Sequence, residues 1–337
     1  MIISINEYLR VLKSPNGLFR SLRDFRLLEY HVGNSAIVCK IEFSDGRCRM
    51  LKCYLRSKPH LREIYGDKLL TDEIFIPYNN GSGQWVDVVL DRWHDGTTLS
   101  QAIRLASLKG DSQRLNELAT AFDRLALQLL REDWAHGDLK PDNIIVGDDL
   151  SLHLIDLDAC YMPSLNGSKS IELGTAAWQH PERLACDFNR HIDDYSIALI
   201  STTLHALAID PSLYEKFADA EGVLLHPAQI IRGFEPLFEQ ILHIFASKGM
   251  AAQLRIAQLL DSRAYILPRL ATLLHYSLFT PSQCDTTPEL LREAGLWGYA
   301  ANGKVVTAPL YDLAFTPRNG TAQVVLHGYN HTISFKM

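Results

Sequence analysis

His136-Gly137-Asp138-Leu139-Lys140-Pro141-Asp142-Asn143 is followed directly by the apolar run Ile144-Ile145-Val146, and shortly afterwards by Leu154-Ile155-Asp156-Leu157-Asp158. The apolar runs Ile144–Val146 and Leu152–Ile155 predict a short β-hairpin. Such a hairpin holds Asn143 and Asp156 side by side, since one precedes the first strand and the other follows the second. The polar loop ahead of it carries Asp138 and Lys140. A carboxylate, a cation, an amide and a second carboxylate thus fall within one small region.

Those four groups suit phosphoryl transfer from ATP, which leaves a protein mainly positioning and charge neutralisation to do. A carboxylate, Asp138, can orient an attacking hydroxyl and accept its proton. Mg²⁺ is a hard cation that needs few protein oxygens beside phosphate and water, and Asn143 and Asp156 can supply them. Lys140 brings a cation for the transferring phosphate. The segment resembles the H-R-D-x-K-x-x-N catalytic loop and D-F-G metal motif of the protein kinase superfamily, with matching spacing from Asn143 to Asp156. The resemblance covers about residues 20–290 and is strongest from 134 to 200. It implies Asp138 as catalytic base, Lys140 as γ-phosphate contact, and Asn143 and Asp156 as ligands of Mg²⁺ (or Mn²⁺).

Supporting pieces stand on both sides. Gly174-Thr175-Ala176-Ala177-Trp178-Gln179-His180-Pro181-Glu182 resembles the end of the kinase activation segment, with His180 in place of the alanine of Ala-Pro-Glu. The resemblance implies that Thr175 bridges Asp138 and Lys140, as in Ser/Thr-type kinases. It also implies that Asp193, opening Asp193-Asp194-Tyr195-Ser196, braces the catalytic-loop backbone, and that Glu182 pairs with Arg255 or Arg263. Upstream, Lys52 ends a strand-like Arg49-Met50-Leu51-Lys52, similar to the lysine of Val-Ala-Ile-Lys that reaches the α- and β-phosphates. Its expected partner is Glu63. The family's G-x-G-x-x-G-x-V falls on residues 31–38, where only Gly33 and Val38 survive, with Ala36 a small substitute. The adenine edge is expected to meet Leu90, Asp91 and Trp93.

Two departures carry predictions. Gly137 replaces the arginine that clamps a phosphorylated activation loop, so phosphorylation at Ser164, Ser168, Ser170 or Thr175 is not expected to be an obligatory switch. Asp158 replaces the glycine of D-F-G, either as a ligand for a second cation or as a solvated turn residue. His-Gly-Asp and Asp-x-Asp also resemble small-molecule kinases such as aminoglycoside phosphotransferases. Three functions therefore stand side by side: a Ser/Thr protein kinase, a nucleotide-binding pseudokinase acting as an interaction module, and a metabolite kinase. His136 reads as a structural loop residue, and His153, His205 and His226 as ordinary surface or core residues.

The flanks complete an α+β expectation: a bilobal kinase-like fold with a small antiparallel β lobe and one helix, a larger helical lobe, and a small C-terminal β element. Residues 5–13 predict an amphipathic helix. Strand signals run from Leu27 to Leu55, broken by the hairpin turn Ser44-Asp45-Gly46-Arg47. A short helix is expected from Pro59 to Leu70, then strands at Ile74–Tyr78 and Trp85–Leu90 around the turn cluster Asn79–Gly83. Helical periodicity covers 99–109 and 112–131, with Leu118, Phe122, Leu125, Leu129 and Leu130 in one stripe. Helical signals continue from Arg183 to about Arg292. Composition shifts put domains at 1–93, 94–293 and 294–337. Gly295–Asp312, containing Leu296-Trp297-Gly298-Tyr299 and Asn302-Gly303-Lys304, resembles a single WG repeat, which implies packing on the helical lobe or on a protein partner.

The chain has 337 residues, 47% hydrophobic and 21% charged, with net charge -6, which gives no reason to expect nucleic-acid binding. Six cysteines without Cys-x-x-Cys spacing suit a reducing cytoplasm better than a zinc or dithiol site. No signal peptide is expected at Met1–Tyr8. The apolar stretch Ile197–Ile209 is too short and too polar for a membrane span and reads as a buried helix.

Overall fold

The structure is a computed structural model describing residues 2–14, 17–78, 81–279 and 286–335; Asn79, Asn80 and Cys284 lie outside the described residues. It is mixed α+β, and it divides into two compact units, Met1–Asp95 and Gly96–Met337.

The first unit opens with helix α1 (Ile5–Lys13), set by a capping box in which Ser4 and Glu7 each accept from the other's backbone N–H. This arrangement satisfies two of the helix's orphan donors. Strands β1 (Phe25–Val32), β2 (Ala36–Phe43) and β3 (Cys48–Tyr54) follow, then helix α2 (Leu61–Tyr65), β4 (Leu69–Pro77) and β5 (Gly83–Arg92). They form an antiparallel sheet in the order β1-β2-β3-β5-β4. The β2–β3 hairpin turns at Gly46, whose φ is +80° and which suits the turn for want of a Cβ.

Paired residues of antiparallel strands share a face. One face carries Ile37, Cys39, Ile41, Leu51, Cys53 and Val88, packed with Tyr8, Val11 and Leu12 of α1. The Tyr8 hydroxyl donates to the Tyr54 carbonyl at 2.8 Å, so a polar tip is satisfied where the ring is buried. Burial pushes the Cys39 thiol up to about 12 and Cys53 well above its usual value, which makes both core thiols rather than nucleophiles. The other face carries Val38, Lys52 and Val89 in line.

The helix expected over Pro59–Leu70 is shorter than the sequence suggests. Regular α-helix ends at Tyr65, because Gly66 takes φ +52°, and one 3₁₀ turn (Gly66–Lys68) leads into β4.

The second unit begins with β6 (Thr97–Thr98), α3 (Leu99–Leu108) and α4 (Ser112–Leu129), the helices N-capped by the side chains of Thr98 and Asp111. Strands β7 (Ile144–Val146) and β8 (Leu152–Leu154) join β6 in a small sheet of order β6-β7-β8. Then come α5 (Asp194–Ile209), α6 (Ser212–Phe217), α7 (Pro227–Ile231), α8 (Pro236–Ser247), α9 (Ala251–Gln258) and α10 (Leu270–Ser277). Helix α5 is buried nearly all round, as its apolar sequence predicts. Its packing on α4 encloses Asp123, which is fully buried and bonded to Ser201, His205 and Ser277 at 2.6–3.0 Å. A buried carboxylate is tolerable there because each oxygen is satisfied.

The tail is β throughout: β9 (Glu289–Glu293), β10 (Leu296–Ala301) and β11 (Lys304–Tyr311) form one sheet, and β12 (Leu313–Ala314), β13 (Thr321–Leu326) and β14 (Tyr329–Ser334) another. Helical signals to Arg292 overreach, since Glu289–Glu293 is a strand. Its Glu-Leu-Leu-Arg-Glu composition favours helix, but pairing with β10, with Arg292 5.0 Å over the Trp297 ring, overrides that preference. Gly298 is required sterically, because a Cβ there would overlap the β11 backbone at Thr307 and Ala308. The tail core, including Tyr299, Val306, Leu310 and Val324, is continuous with that of the helices. Arg255 of α9 pins it, donating to the Leu310 carbonyl at 2.9 Å and to Asp312 at 2.8 Å. Among the described residues no helix is long and apolar enough to cross a membrane.

Candidate functional site

The second unit holds Asp138, Lys140, Asn143, Asp156 and Thr175. Pairing of Ile144 with Leu154 aligns β7 and β8, and the Ile155 N–H donates to the Asn143 carbonyl at 3.0 Å. The hairpin therefore sets Asn143 directly opposite Ile155, next to Asp156.

The loop before β7 is braced from beneath. Asp193 accepts from the N–H groups of His136 and Gly137 at 2.5 and 2.9 Å. His136 is fully buried; its Nε2 donates to the Ile155 carbonyl at 2.9 Å and its Nδ1 accepts from the Asp138 N–H at 3.3 Å. It is a structural residue tying the loop to the hairpin. Gly137 has φ +80°, and a Cβ there would overlap the Ala159 carbonyl. A glycine at this position thus has a steric reason, since no side chain fits there.

Asp138 is the hub. Its Oδ1 accepts from the Thr175 N–H at 2.6 Å. Its Oδ2 lies 3.1 Å from Asn143 Nδ2, which donates to it, and 3.3 Å from Lys140 Nζ. Lys140 also donates to Thr175 Oγ1 at 2.8 Å, and Asn143 Nδ2 to the Asp138 carbonyl at 2.8 Å. Thr175 thus bridges Asp138 and Lys140. Charge-assisted donors from three directions fix the carboxylate in one orientation, and its side chain keeps 17% of its exposure. The site can hold a base still while leaving it reachable.

Because Asn143 turns its amide nitrogen toward Asp138, its Oδ1 takes no hydrogen bond among the described residues. Asp156 is exposed and sits in the left-handed region, φ +61°. One amide and one carboxylate oxygen are hard donors, a set that fits Mg²⁺ completing its shell with phosphate and water. No cluster of three or more His, Cys, Asp or Glu side chains is placed to hold a metal by itself among the described residues. Asp158 is only 7% exposed. The solvated-turn alternative for it is therefore wrong; the 3₁₀ turn Leu157–Ala159 folds it inward.

Downstream, the Glu182 expectation fails. Arg255 is committed to the tail, and among the described residues Glu182 forms no ion pair with it or with Arg263. His180 is buried edge-on to Tyr195, donates to the Ser262 carbonyl at 3.0 Å and accepts from the Glu182 N–H. It ties this stretch to Ser262 and Tyr195.

Sequence reasoning missed Arg183, which is 5% exposed. Its Nη1 donates to the carbonyls of Gly137 (3.1 Å) and Leu173 (3.2 Å) and to Gln179 Oε1 (2.5 Å), and its Nη2 to Ser170 Oγ (3.5 Å). Burial lowers the pKa of the guanidinium, and the nearby Asp193 carboxylate opposes that. Burial likewise raises Asp193, opposed by His136, the two N–H groups it accepts from, and Arg183. An arginine following Pro-Glu gives no sign in sequence that it is buried.

The first unit holds the remaining candidates. Lys52 is 3% exposed, beside Val38 on the same face and 5.4 Å from the Tyr54 ring centroid. Glu63 is not its partner. On so short a helix Leu61 and Tyr65 take the buried side, which turns Glu63 outward, where it meets His60 at 3.6 Å. Gly33 closes the β1–β2 turn by donating to the Ala36 carbonyl at 2.9 Å. Leu90 pairs with Leu51 and packs toward α1, on the face opposite Lys52, so its side chain does not join Val38 and Lys52. Asp91 accepts from Lys68 at 2.8 Å, and the Trp93 ring stacks with His31, has Lys40 Nζ 5.1 Å from its centroid, and donates its N–H to Asp95.

Compared with known proteins, the chain matches no family model and no curated protein.

Proposed function

We propose that this chain transfers the terminal phosphoryl group of Mg-ATP to a Ser or Thr hydroxyl of a protein, on a two-lobed protein kinase-like fold. The observation that carries the reading is the convergence of Thr175, Lys140 and Asn143 on Asp138. Asp138 accepts the proton of the attacking hydroxyl and holds that oxygen in line; positioned bases contribute about 10²–10⁴-fold. Lys140 stands ready for charge on the transferring group, and Thr175 keeps the lysine and the base in register. Asn143 and Asp156 would hold Mg²⁺, which when bound neutralises phosphate charge. Lys52, on the first unit's sheet, is assigned to the α- and β-phosphates by its likeness to the family lysine.

The test uses purified chain with γ-labelled ATP and Mg²⁺ or Mn²⁺, scored for autophosphorylation and for labelling of a generic protein substrate, beside Asp138→Ala and Asp156→Ala. Both variants should lose transfer, and full activity in both contradicts the assignment. One observation favours a second reading, a nucleotide-binding interaction module without transfer: of the glycines of the phosphate-loop pattern over residues 31–38, only Gly33 is present. ATP binding with no transfer to any acceptor would select that reading. Transfer to a metabolite alone would select a small-molecule kinase.

A further inference from the structure

We infer that Arg183 is a positioning residue that fastens the 170–179 segment to the His136–Asp138 loop in the unmodified chain, so that Thr175 meets Asp138 with no phosphate in the clamp. The inference rests on the proposed role of Asp138 and adds to it how the site is kept assembled.

The Gly137 peptide is gripped at both ends. Its N–H goes to Asp193, and its carbonyl accepts from Arg183 Nη1 at 3.1 Å and Gln179 Nε2 at 3.4 Å. The same Arg183 nitrogen holds the Leu173 carbonyl. The next residue, Gly174 (φ +76°), has no room for a side chain, since a Cβ would come within 2.7 Å of the Gly137 carbonyl and 2.9 Å of Asp138 Oδ1. One residue further, the Thr175 N–H reaches Asp138. Arg183 therefore grips the peptide next to the one whose N–H orients the base. Its planar fork suits several acceptors at once better than an ammonium does.

The clamp leaves no place for a phosphate to perform the same task. An arginine cannot replace Gly137 against the Ala159 carbonyl. Ser170 is buried, its hydroxyl donates to the Glu172 carbonyl at 2.6 Å, and its N–H donates to the Ala185 carbonyl at 2.8 Å. The Thr175 hydroxyl is held by Lys140. Two of the four hydroxyls considered for regulation are thus already structural. The positive charge that would meet a phosphate is instead spent on backbone carbonyls and on facing the buried Asp193.

The test combines hydrogen exchange and kinetics on the full chain after phosphatase treatment. Unmodified chain should show slow exchange at Ser170 and Thr175 and retain its turnover. Arg183→Lys, which keeps the charge but loses the fork, should speed exchange across 170–176. It should also lower kcat by between about 10-fold and 100-fold with KM for ATP within about twofold. Gln179→Ala, which leaves every charge in place, should move both readouts the same way by less, and it stands in should Arg183→Lys fail to fold. The inference is overturned if the Thr175 amide of dephosphorylated chain exchanges like unstructured peptide, or if dephosphorylation abolishes turnover. A rise in KM for ATP at unchanged kcat in the folded variants would overturn it too. A chain that transfers nothing defeats the phosphoryl-transfer reading, while the exchange data still judge the clamp.

Discussion

The loop and hairpin around Asp138 and the sheet around Lys52 share one family likeness in sequence, yet the two regions are built differently. In the first, each polar side chain has a partner that another part of the motif supplies: Thr175 for Lys140, Asp193 for the loop N–H groups, Asn143 for Asp138. In the second, Lys52 and Val38 share a face, but Glu63 points outward, 3.6 Å from His60, and Leu90 packs toward α1. Chain separation does not account for the difference, since Thr175 and Asp193 reach the Asp138 loop from 37 and 57 residues away. The first region is fixed by a tight hairpin and by backbone N–H groups that the Asp138 and Asp193 carboxylates accept from. The second depends on strand parity and on the length of a helix that Gly66 cuts short.

Substitutions should reproduce that contrast. The largest effect is expected at Asp193→Ala, which leaves Arg183 buried without its facing carboxylate and two loop N–H groups unbonded. The cost should be about 3–5 kcal/mol, read as a fall in denaturant midpoint. Next, Lys52→Met should lower turnover by about 10²-fold if the lysine meets phosphate charge, measured by steady-state kinetics; an unchanged rate would remove the first unit from the chemistry.

Asp194 offers a pH test. Its carboxyl is 2% exposed and lies 3.4 Å from His191; Oδ2 accepts from the Leu267 N–H, and Oδ1 has no hydrogen-bond partner among the described residues. Burial pushes its pKa up to about 7. Between the ordinary carboxylate range and that value the folded chain holds a proton that the unfolded chain has released. Stability should therefore fall as pH rises toward 7 and level off above it. Asp194→Asn, which keeps an acceptor for Leu267, should flatten that slope in thermal melts between pH 4 and 8.

A smaller loss is expected at Arg255→Ala, about 1–3 kcal/mol for charge-assisted bonds to the tail, seen as earlier melting. The smallest belongs to Glu63→Gln, whose turnover should stay within about twofold because an exposed pair with His60 contributes little. A large loss there would restore Glu63 as the partner of Lys52.

Much of this was legible in the sequence. The amphipathic pattern over 5–13 marks α1, Ser44–Arg47 marks the β2–β3 turn, and Asp138, Lys140, Asn143 and Thr175 come together as their motif implies. What stayed hidden depended on tertiary contact. Arg183 reads as a solvated cation until Gly137 and Leu173 are folded against it. Glu289–Glu293 reads as helix until β10 pairs with it. Asp158 left two options open, and the inward 3₁₀ turn removed the solvated one.

The central claim is that Asp138 is a base for phosphoryl transfer rather than a structural acid. Asp138→Asn keeps a hydrogen-bond acceptor for the Thr175 N–H while removing the basic oxygen. Measured together, nucleotide affinity should stay within about threefold and γ-phosphoryl transfer should fall by about 10²–10⁴-fold. Transfer at the wild-type rate by Asp138→Asn, with nucleotide still bound, would contradict the account.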